Sequence, residues 1–316
     1  MRDVVIIGGG LSGLAAAVEL EKQGVAYTLI EVKRRLGGSI HTEHRDGFAL
    51  DSAPMLHTSA DLPEFVHTLE PLDLADALVQ QGEHVLFREG TGMLIDALAK
   101  RVTAPIMHRM AVSTLGQTDS GTFLICMENG MVLDARALIV ASPARFAERM
   151  FYTLVPEISF RLLDYRYDSI ARVSIGYSDA AALDIPDEPP EDYPITAVHQ
   201  TRQAGRVLPG GVLIQCGVRY DPAKGVPADL VGEITALFGW PQQPQVEHVA
   251  AWPESDPLMW LDDDHPATMA DIQHLLPPGV ALCGSDYIPT NEPPRLDERI
   301  RQGQQAARRV LDWIKG

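Results

Sequence analysis

Three cysteines in 316 residues cannot build a disulfide framework. Cys126, Cys216 and Cys283 each sit in an apolar run, where cysteine serves as a small core residue. So sparse a set points to a reducing compartment. No apolar stretch approaches the ~20 residues needed to span a bilayer. The N-terminus lacks the charged-then-apolar pattern of an export signal, so we expect a cytoplasmic protein without a membrane partner. Basic residues are also scarce: 26 Lys and Arg against 43 Asp and Glu leave a formal net charge of −17. A surface so negative repels phosphate backbones, which argues against nucleic acid. The acidic runs at Asp187 to Asp192 and Asp262 to Asp264 read as solvated loops. Internal repeats and low-complexity linkers are missing. No Gly-x-Ser-x-Gly elbow is present, which leaves a serine hydrolase unsupported. The histidines of His41-Thr-Glu-His44 stand three apart and would fall on opposite faces of a strand, so no metal site is expected.

What is present is an ordinary globular composition, 46% apolar and 22% charged, long enough for one large domain or two joined ones. Val4 to Ile7 is a short, β-branched apolar run suited to a strand buried on both faces. Gly8, Gly9, Gly10, Leu11, Ser12 and Gly13 follow, in the pattern Gly-x-Gly-x-x-Gly. A helix with Leu14, Ala17, Val18 and Glu21 on successive turns then runs to about Gly24. A second strand, Tyr27 to Ile30, delivers Glu31. Each part has a mechanical reason. Gly8 permits the turn out of the strand, Gly10 lets backbone approach a diphosphate, and Gly13 lets helix and strand pack closely. The helix N-terminus offers free N–H groups and about half a positive charge. Glu31 can accept from ribose hydroxyls and would repel a 2′-phosphate, which disfavours NADP. Strand, glycines, helix, strand and acid in register predict a site for the ADP half of a dinucleotide.

The residues after Glu31 narrow the choice. Glu31-Val-Lys-Arg-Arg-Leu-Gly37-Gly38-Ser39 resembles the second flavin fingerprint of the superfamily of flavin-containing amine oxidases and protoporphyrinogen oxidases, which also holds carotenoid desaturases and renalases. That family often has Arg after the paired glycines; here it is Ser39. Asp46-Gly-Phe-Ala-Leu-Asp-Ser-Ala-Pro54 resembles the segment leading to the isoalloxazine edge, with Ser52 in place of a glycine. Ala137 to Pro143 resembles the strand returning to the cofactor. Val280-Ala-Leu-Cys-Gly284-Ser285-Asp286 resembles the late Gly-Asp motif, and Gly303, Ala306 and Ala307 match the Gly-x-x-Ala-Ala of the closing helix, expected from about Arg295.

The resemblance implies FAD, held without a covalent bond because no cysteine falls at the late flavin-contacting turn. It carries cofactor contacts onto Gly8, Gly10, Leu11, Ser12 and Gly13, then onto Glu31, Lys33, Gly38 and Ser39. Pro54 and Met55 fall at the isoalloxazine segment, Val112 at the adenine, Ala141 at the returning strand, and Asp286 and Leu296 at the flavin side. It also implies an α/β fold: a Rossmann-type FAD-binding domain, with a parallel sheet and flanking helices. This is interleaved with a smaller, mostly antiparallel β-sheet substrate domain. We expect 1–45, 91–150 and 275–316 in the first and 46–90 and 151–274 in the second. The proline-rich stretches 186–194 and 241–257 read as loops. The segment from Leu56 to Arg88 is too short for a large inserted substrate region, a layout closest to compact renalase-like members.

Three residues are candidates for chemistry. Arg172 falls where amine oxidases carry a lysine, and suits an anionic substrate or reduced flavin; the alternative is a strand residue facing solvent or a neighbouring carboxylate. Trp260 falls in a Trp-x-x-acid-Pro-like segment as an aromatic wall or as packing. His57 follows the isoalloxazine segment and faces the pocket or a loop. The expected activity is transfer of a hydride from a small substrate, amine or dihydronicotinamide-like, to flavin N5, with oxygen or another acceptor reoxidising it. The alternatives are a desaturase or oxidase of a larger apolar substrate, and a flavin-binding sensor without turnover.

Overall fold

The computed structural model describes residues 2–58, 62–179, 183–186, 188–258 and 263–316. The chain divides into two compact units. Met1–Gly38, Ile95–Arg166 and Pro257–Gly316 form the first; Ser39–Leu94 and Tyr167–Asp256 form the second.

β1 (Arg2–Ile7), α1 (Leu11–Lys22) and β2 (Tyr27–Glu31) open the first unit. Val4 to Ile7 are buried on both faces, as a continuous β-branched run requires. α1 stops at Gln23, and Gly24 turns the chain at φ +63°. In the second unit, β3 (Thr42–Arg45) and β4 (Phe48–Asp51) form a hairpin. β5 (His57–Thr58), α2 (Leu62–Leu69), β6 (Leu78–Gln81) and β7 (His84–Phe87) follow, and the three strands pair in the order β5-β7-β6. After α3 (Gly92–Ala99) come β8 (Ile106–His108), β9 (Val112–Gln117), β10 (Phe123–Met127) and β11 (Val132–Val140) of the first unit. α4 (Ala144–Phe151) and α5 (Pro156–Leu163) then pack on one another. The second unit resumes with β12 (Tyr167–Tyr177), β13 (Ile195–Thr201), β14 (Val212–Arg219), α6 (Leu230–Phe238) and β15 (Val246–Pro257). α7 (His265–Leu275), β16 (Val280–Leu282) and α8 (Leu296–Lys315) belong to the first.

The main sheet of the first unit has the order β8-β2-β1-β11-β10-β9, with β16 also pairing β11. β8, β2, β1, β11 and β16 run parallel, while β9 and β10 are antiparallel additions at one side. This is the Rossmann-type arrangement. α8 lies on α1, and a Cβ at Gly303 would overlap the Ser12 carbonyl oxygen, so the helices approach as closely as only glycine allows.

The larger sheet of the second unit has the order β13-β14-β12-β15, and its β12–β14 and β13–β14 pairs are antiparallel. Alternation sorts its faces. Ala171, Val173, Ile175, Ile214 and Cys216 form an apolar core with Leu230 and Ile234 of α6. Arg172, Ser174, Gln215 and Gly217 fall on the opposite face.

Two readings of the sequence differ from the fold. The stretch 241–257 is not simply a loop: β15 runs through it from Val246 to Pro257. β15 is an edge strand, the place in a sheet where proline is found, and the Pro253 carbonyl accepts from Ser169 Oγ at 2.8 Å. The unit boundaries also fall elsewhere than at 45, 91, 150 and 275. The β3–β4 hairpin is a feature of the second unit, whereas α4 packs on β9 and α5 on α7, which keeps 144–163 and 265–275 in the first.

Candidate dinucleotide site

The first unit builds its candidate site where β1 ends and α1 begins. Gly8 adopts φ +106°, and a Cβ there would stand 2.6 Å from the Ala141 carbonyl oxygen. Its N–H donates to Ile30 O at 2.8 Å, and the Ala141 N–H donates to Ile7 O at 2.7 Å. The three strand ends therefore meet at one bend. A Cβ at Gly13 would overlap Gly8 O, so α1 sits directly on the bend. Gly10 is the N-cap of α1 and makes no side-chain cap, which leaves the first-turn N–H groups without the usual side-chain acceptor. Facing it is Gly38, at φ +62°, whose added Cβ would stand 3.4 Å from Gly10 Cα.

Glu31 is buried beside this bend. Gly9 N–H donates to its Oε2 and Lys33 N–H to its Oε1, both at 2.7 Å. Each oxygen keeps a second lone pair for a further donor. Ser12, in the first turn of α1, is 4% exposed, and its Oγ has no hydrogen-bond partner among the described residues. An orphaned hydroxyl, uncapped helix amides, two opposed glycines and a fixed carboxylate together fit the ADP half of FAD: donors for a diphosphate and an acceptor for the ribose.

The remaining expected contacts of this unit are distributed as follows. Leu11 is buried at the start of α1, Val112 is buried at the start of β9, and Ala141 follows β11 at the bend. The Lys33 side chain is exposed, whereas Arg35 is partly buried. Desolvation lowers the Arg35 pKa and the charge of Glu31 opposes that shift. Arg35 is a cation that motif reading passed over, its signal being the basic run itself. Leu296 is buried as the first residue of α8, whose start is closed by Arg295 N–H donating to Glu298 Oε2 at 2.8 Å.

Asp286 is 4% exposed. Ala144 N–H, at the start of α4, donates to its Oδ2 at 2.8 Å, and Ser285 Oγ donates to its Oδ1 at 3.0 Å. Tyr165 donates to the Asp286 carbonyl at 2.7 Å, and Tyr287 to Ser142 O at 2.8 Å. Burial first, and the Asp286 charge second, push both phenols well above their ordinary range. Asp286 thus holds the start of α4 against the late turn. Tyr165 and Tyr287 carry no motif and were not foreseen.

In the second unit the isoalloxazine-type segment is held by side chains from distant strands. Gln215 donates Nε2 to Asp51 O at 3.0 Å and Ala53 O at 3.1 Å, and its Oε1 accepts from Met55 N–H at 2.9 Å. Trp252 Nε1 donates to Ser52 O at 2.6 Å. Met55 is buried, Pro54 exposed and Ser39 half-buried. Gln215 interrupts the apolar run Val212 to Val218, the one signal that marked it.

Arg172 is 8% exposed, and a Cβ on Gly217 would stand 2.6 Å from its Nη1, so the guanidinium lies across that glycine. Burial first, then His84 and Arg172, lower the pKa of His199 on the same face. His57 Nε2 lies 3.1 Å from Thr91 Oγ1. Thr91 is tied to Asp51, whose carboxylate pairs with Arg206 Nη1 at 2.7 Å, both side chains fully buried. Trp260 lies outside the described residues. Among the described residues, no group of histidine, cysteine or acid side chains is arranged to hold a metal ion, and no helix is long and apolar enough to cross a membrane.

Comparison with known proteins agrees with this geometry. A model of NAD(P)-binding Rossmann-like domains matches residues 6–71, and a model of flavin containing amine oxidoreductases matches residues 58–311. A 1-hydroxycarotenoid 3,4-desaturase of Flavobacterium sp. (strain P99-3) is 32% identical over 94 residues, 29% of this chain and 19% of the relative. A coproporphyrinogen III oxidase of Bacillus subtilis (strain 168) is 34% identical over 99 residues, again 29% of this chain and 19% of the relative. The matches thus span about a fifth of the length of these curated relatives. Among solved structures, a candidate protoporphyrinogen oxidase from Exiguobacterium sp. 255-15 superposes with TM-score 0.82 at 14% identity, covering 100% of this chain and 99% of that one. Cyclohexylamine oxidase from Brevibacterium oxydans IH-35A gives 0.75 at 14% identity, with 100% of both chains covered. The chain belongs to the family of flavin containing amine oxidoreductases, and its cofactor is FAD.

Proposed function

We propose that this chain is an FAD-dependent oxidoreductase that takes a hydride from a small substrate, an amine or a dihydronicotinamide-like compound, and is reoxidised by oxygen or another acceptor. The observation that carries the reading is the family match over residues 58–311, joined to a first unit built for the ADP half of the cofactor. FAD, when bound, supplies a two-electron acceptor. The chain's own residues do the rest. The first-turn N–H groups of α1 neutralise the diphosphate, and Glu31 orients the ribose. Arg172 and His57, in the second unit, are the groups we assign to the substrate.

Two features favour a small substrate. Between β5 and β7 the described residues hold one eight-residue helix, two single 3₁₀ turns and β6, which supports the compact, renalase-like layout of this reading. A permanently charged, buried Arg172 suits a substrate that carries an anionic group beside its oxidisable C–H. The names of the sequence relatives, a carotenoid desaturase and a porphyrinogen oxidase, support a second reading with a larger apolar substrate. Anaerobic mixing decides. We expect a dihydronicotinamide isomer or a small amine to bleach the flavin band rapidly. Bleaching by a porphyrinogen alone would favour the second reading, and bleaching by no organic reductant would replace the enzyme with a flavin-binding sensor.

A further inference from the structure

The first unit holds a cavity that the cofactor reading does not use. Its volume is about 360 Å³, toward the lower end for small-molecule sites. α7, β16 and α8 enclose it, together with the turn that follows β16. Helical spacing explains how α8 serves two neighbours. Gly303 seats on Ser12 of α1, whereas Gln302, Gln305, Ala306 and Arg309 recur at three- and four-residue steps along an adjoining face and line the cavity. The bend residues Gly8 to Gly13 do not line it, and neither do Glu31 and Gly38.

Wall and rim differ in chemistry. Buried side chains make the wall: Met269 of α7, Ala281 and Leu282 of β16, Tyr287 and Ala306. Gln273, Gln302, Gln305 and Arg309 supply the polar groups. Arg309 is tied from α8 to α7, its Nη1 donating to Gln273 Oε1 at 2.6 Å and its Nη2 to Gln273 O at 3.3 Å. Gln302 Oε1 accepts from Gly284 N–H at 2.7 Å. The amide oxygens of Gln273 and Gln302 are thus engaged. Their Nε2 groups and the other guanidinium N–H groups are what the rim offers, and all of these donate. No Asp or Glu lines the cavity, and Arg309 has no carboxylate partner among the described residues, in a chain of net charge −17.

We propose that this cavity binds a small monocarboxylate with an apolar body, an aromatic or short aliphatic acid. The carboxylate takes paired N–H bonds from Arg309, whose tie to Gln273 holds the guanidinium at the rim before the ligand arrives. The apolar body covers Met269, Leu282 and Tyr287. Inorganic anions have no such surface to bury.

Calorimetric titration of the FAD-loaded protein with benzoate and hexanoate tests the site, with benzamide as the uncharged control and acetate as the control without a body. We expect one benzoate per chain with a Kd of about 1 mM or tighter. Benzamide and acetate should each bind about tenfold more weakly or worse. Methyl NMR of labelled methionines places the ligand: the Met269 signal, identified by Met269→Leu, should shift with the calorimetric midpoint. Arg309→Met should weaken benzoate about tenfold or more. Ala270→Phe, at an exposed position of α7 on the cavity's edge, should block it, and both variants should keep the flavin band of the parent. Absence of binding by both acids overturns the proposal. So does benzamide or acetate binding as tightly as benzoate, an affinity unchanged in Arg309→Met or Ala270→Phe, or benzoate that perturbs the flavin band while Met269 stays still. The titration needs no turnover, so its outcome is independent of the functional reading above.

Discussion

Removing the Asp51 carboxylate should cost the second unit more than removing its partner arginine. Both side chains are fully buried, so neither charge can turn to water. In Asp51→Ala, Arg206 keeps only the carbonyls of Phe87 and Ala49, at 2.7 and 3.4 Å, and its Nη2 already lacks a partner among the described residues. A buried charge stranded in this way costs about 3–5 kcal/mol. In Arg206→Met, Asp51 keeps Thr42 Oγ1, Thr91 N–H and Thr91 Oγ1, and those donors hold the carboxylate in place. We expect about half the loss there, in keeping with the strength of hydrogen bonds to a charged group. Asp51→Leu combined with Arg206→Met leaves no stranded charge and should recover most of the stability. Urea unfolding of the three variants, followed by intrinsic fluorescence, orders them. An Arg206→Met loss equal to that of Asp51→Ala, or an Asp51→Ala loss below about 1 kcal/mol, would refute the argument.

Other perturbations follow from the same contacts. Gly13→Ala drives a methyl into Gly8 O, and should abolish FAD retention on gel filtration while costing about 3 kcal/mol or more of stability. Asp286→Ala removes the acceptor for Ala144 N–H and should cost about 1–2 kcal/mol, read by thermal unfolding of the FAD-free chain. The pKa of His199 is depressed in the fold, so between that value and the unfolded one near 6.5 the unfolded chain binds the extra proton. Stability should therefore fall as pH drops through this window, and His199→Gln should flatten that part of the stability–pH curve in urea titrations.

The elements around the first bend were legible because their information is local. Strand, turn, helix and acid lie within 31 residues, and each glycine answers a contact with a near neighbour. The Rossmann-type sheet followed from that. Asp286 was legible as a motif, but not as the anchor of α4, because Ala144 lies 142 residues away. The clamp by Gln215 was hidden for the same reason, its bond to Met55 spanning 160 residues. Polar residues inside apolar strands were the only trace of such long-range partners. β15 was misread because proline content reports a loop unless the strand's place at the sheet edge is known. The chain of contacts from Arg206 through Asp51 and Thr91 to His57 was also out of reach, since it joins three separated segments through groups with no shared motif.

The close approach of α8 to α1 sets a timetable for biosynthesis. Arg308 donates to the buried Glu19 at 3.0 Å across 289 residues of sequence, and Gly303 seats on Ser12. At ~5–20 residues per second a ribosome needs roughly 15–60 s between making these two partners. Throughout that interval the nascent helix lacks the cover it will have in the finished protein. A chaperone that shields its apolar flank until α8 docks would resolve that exposure.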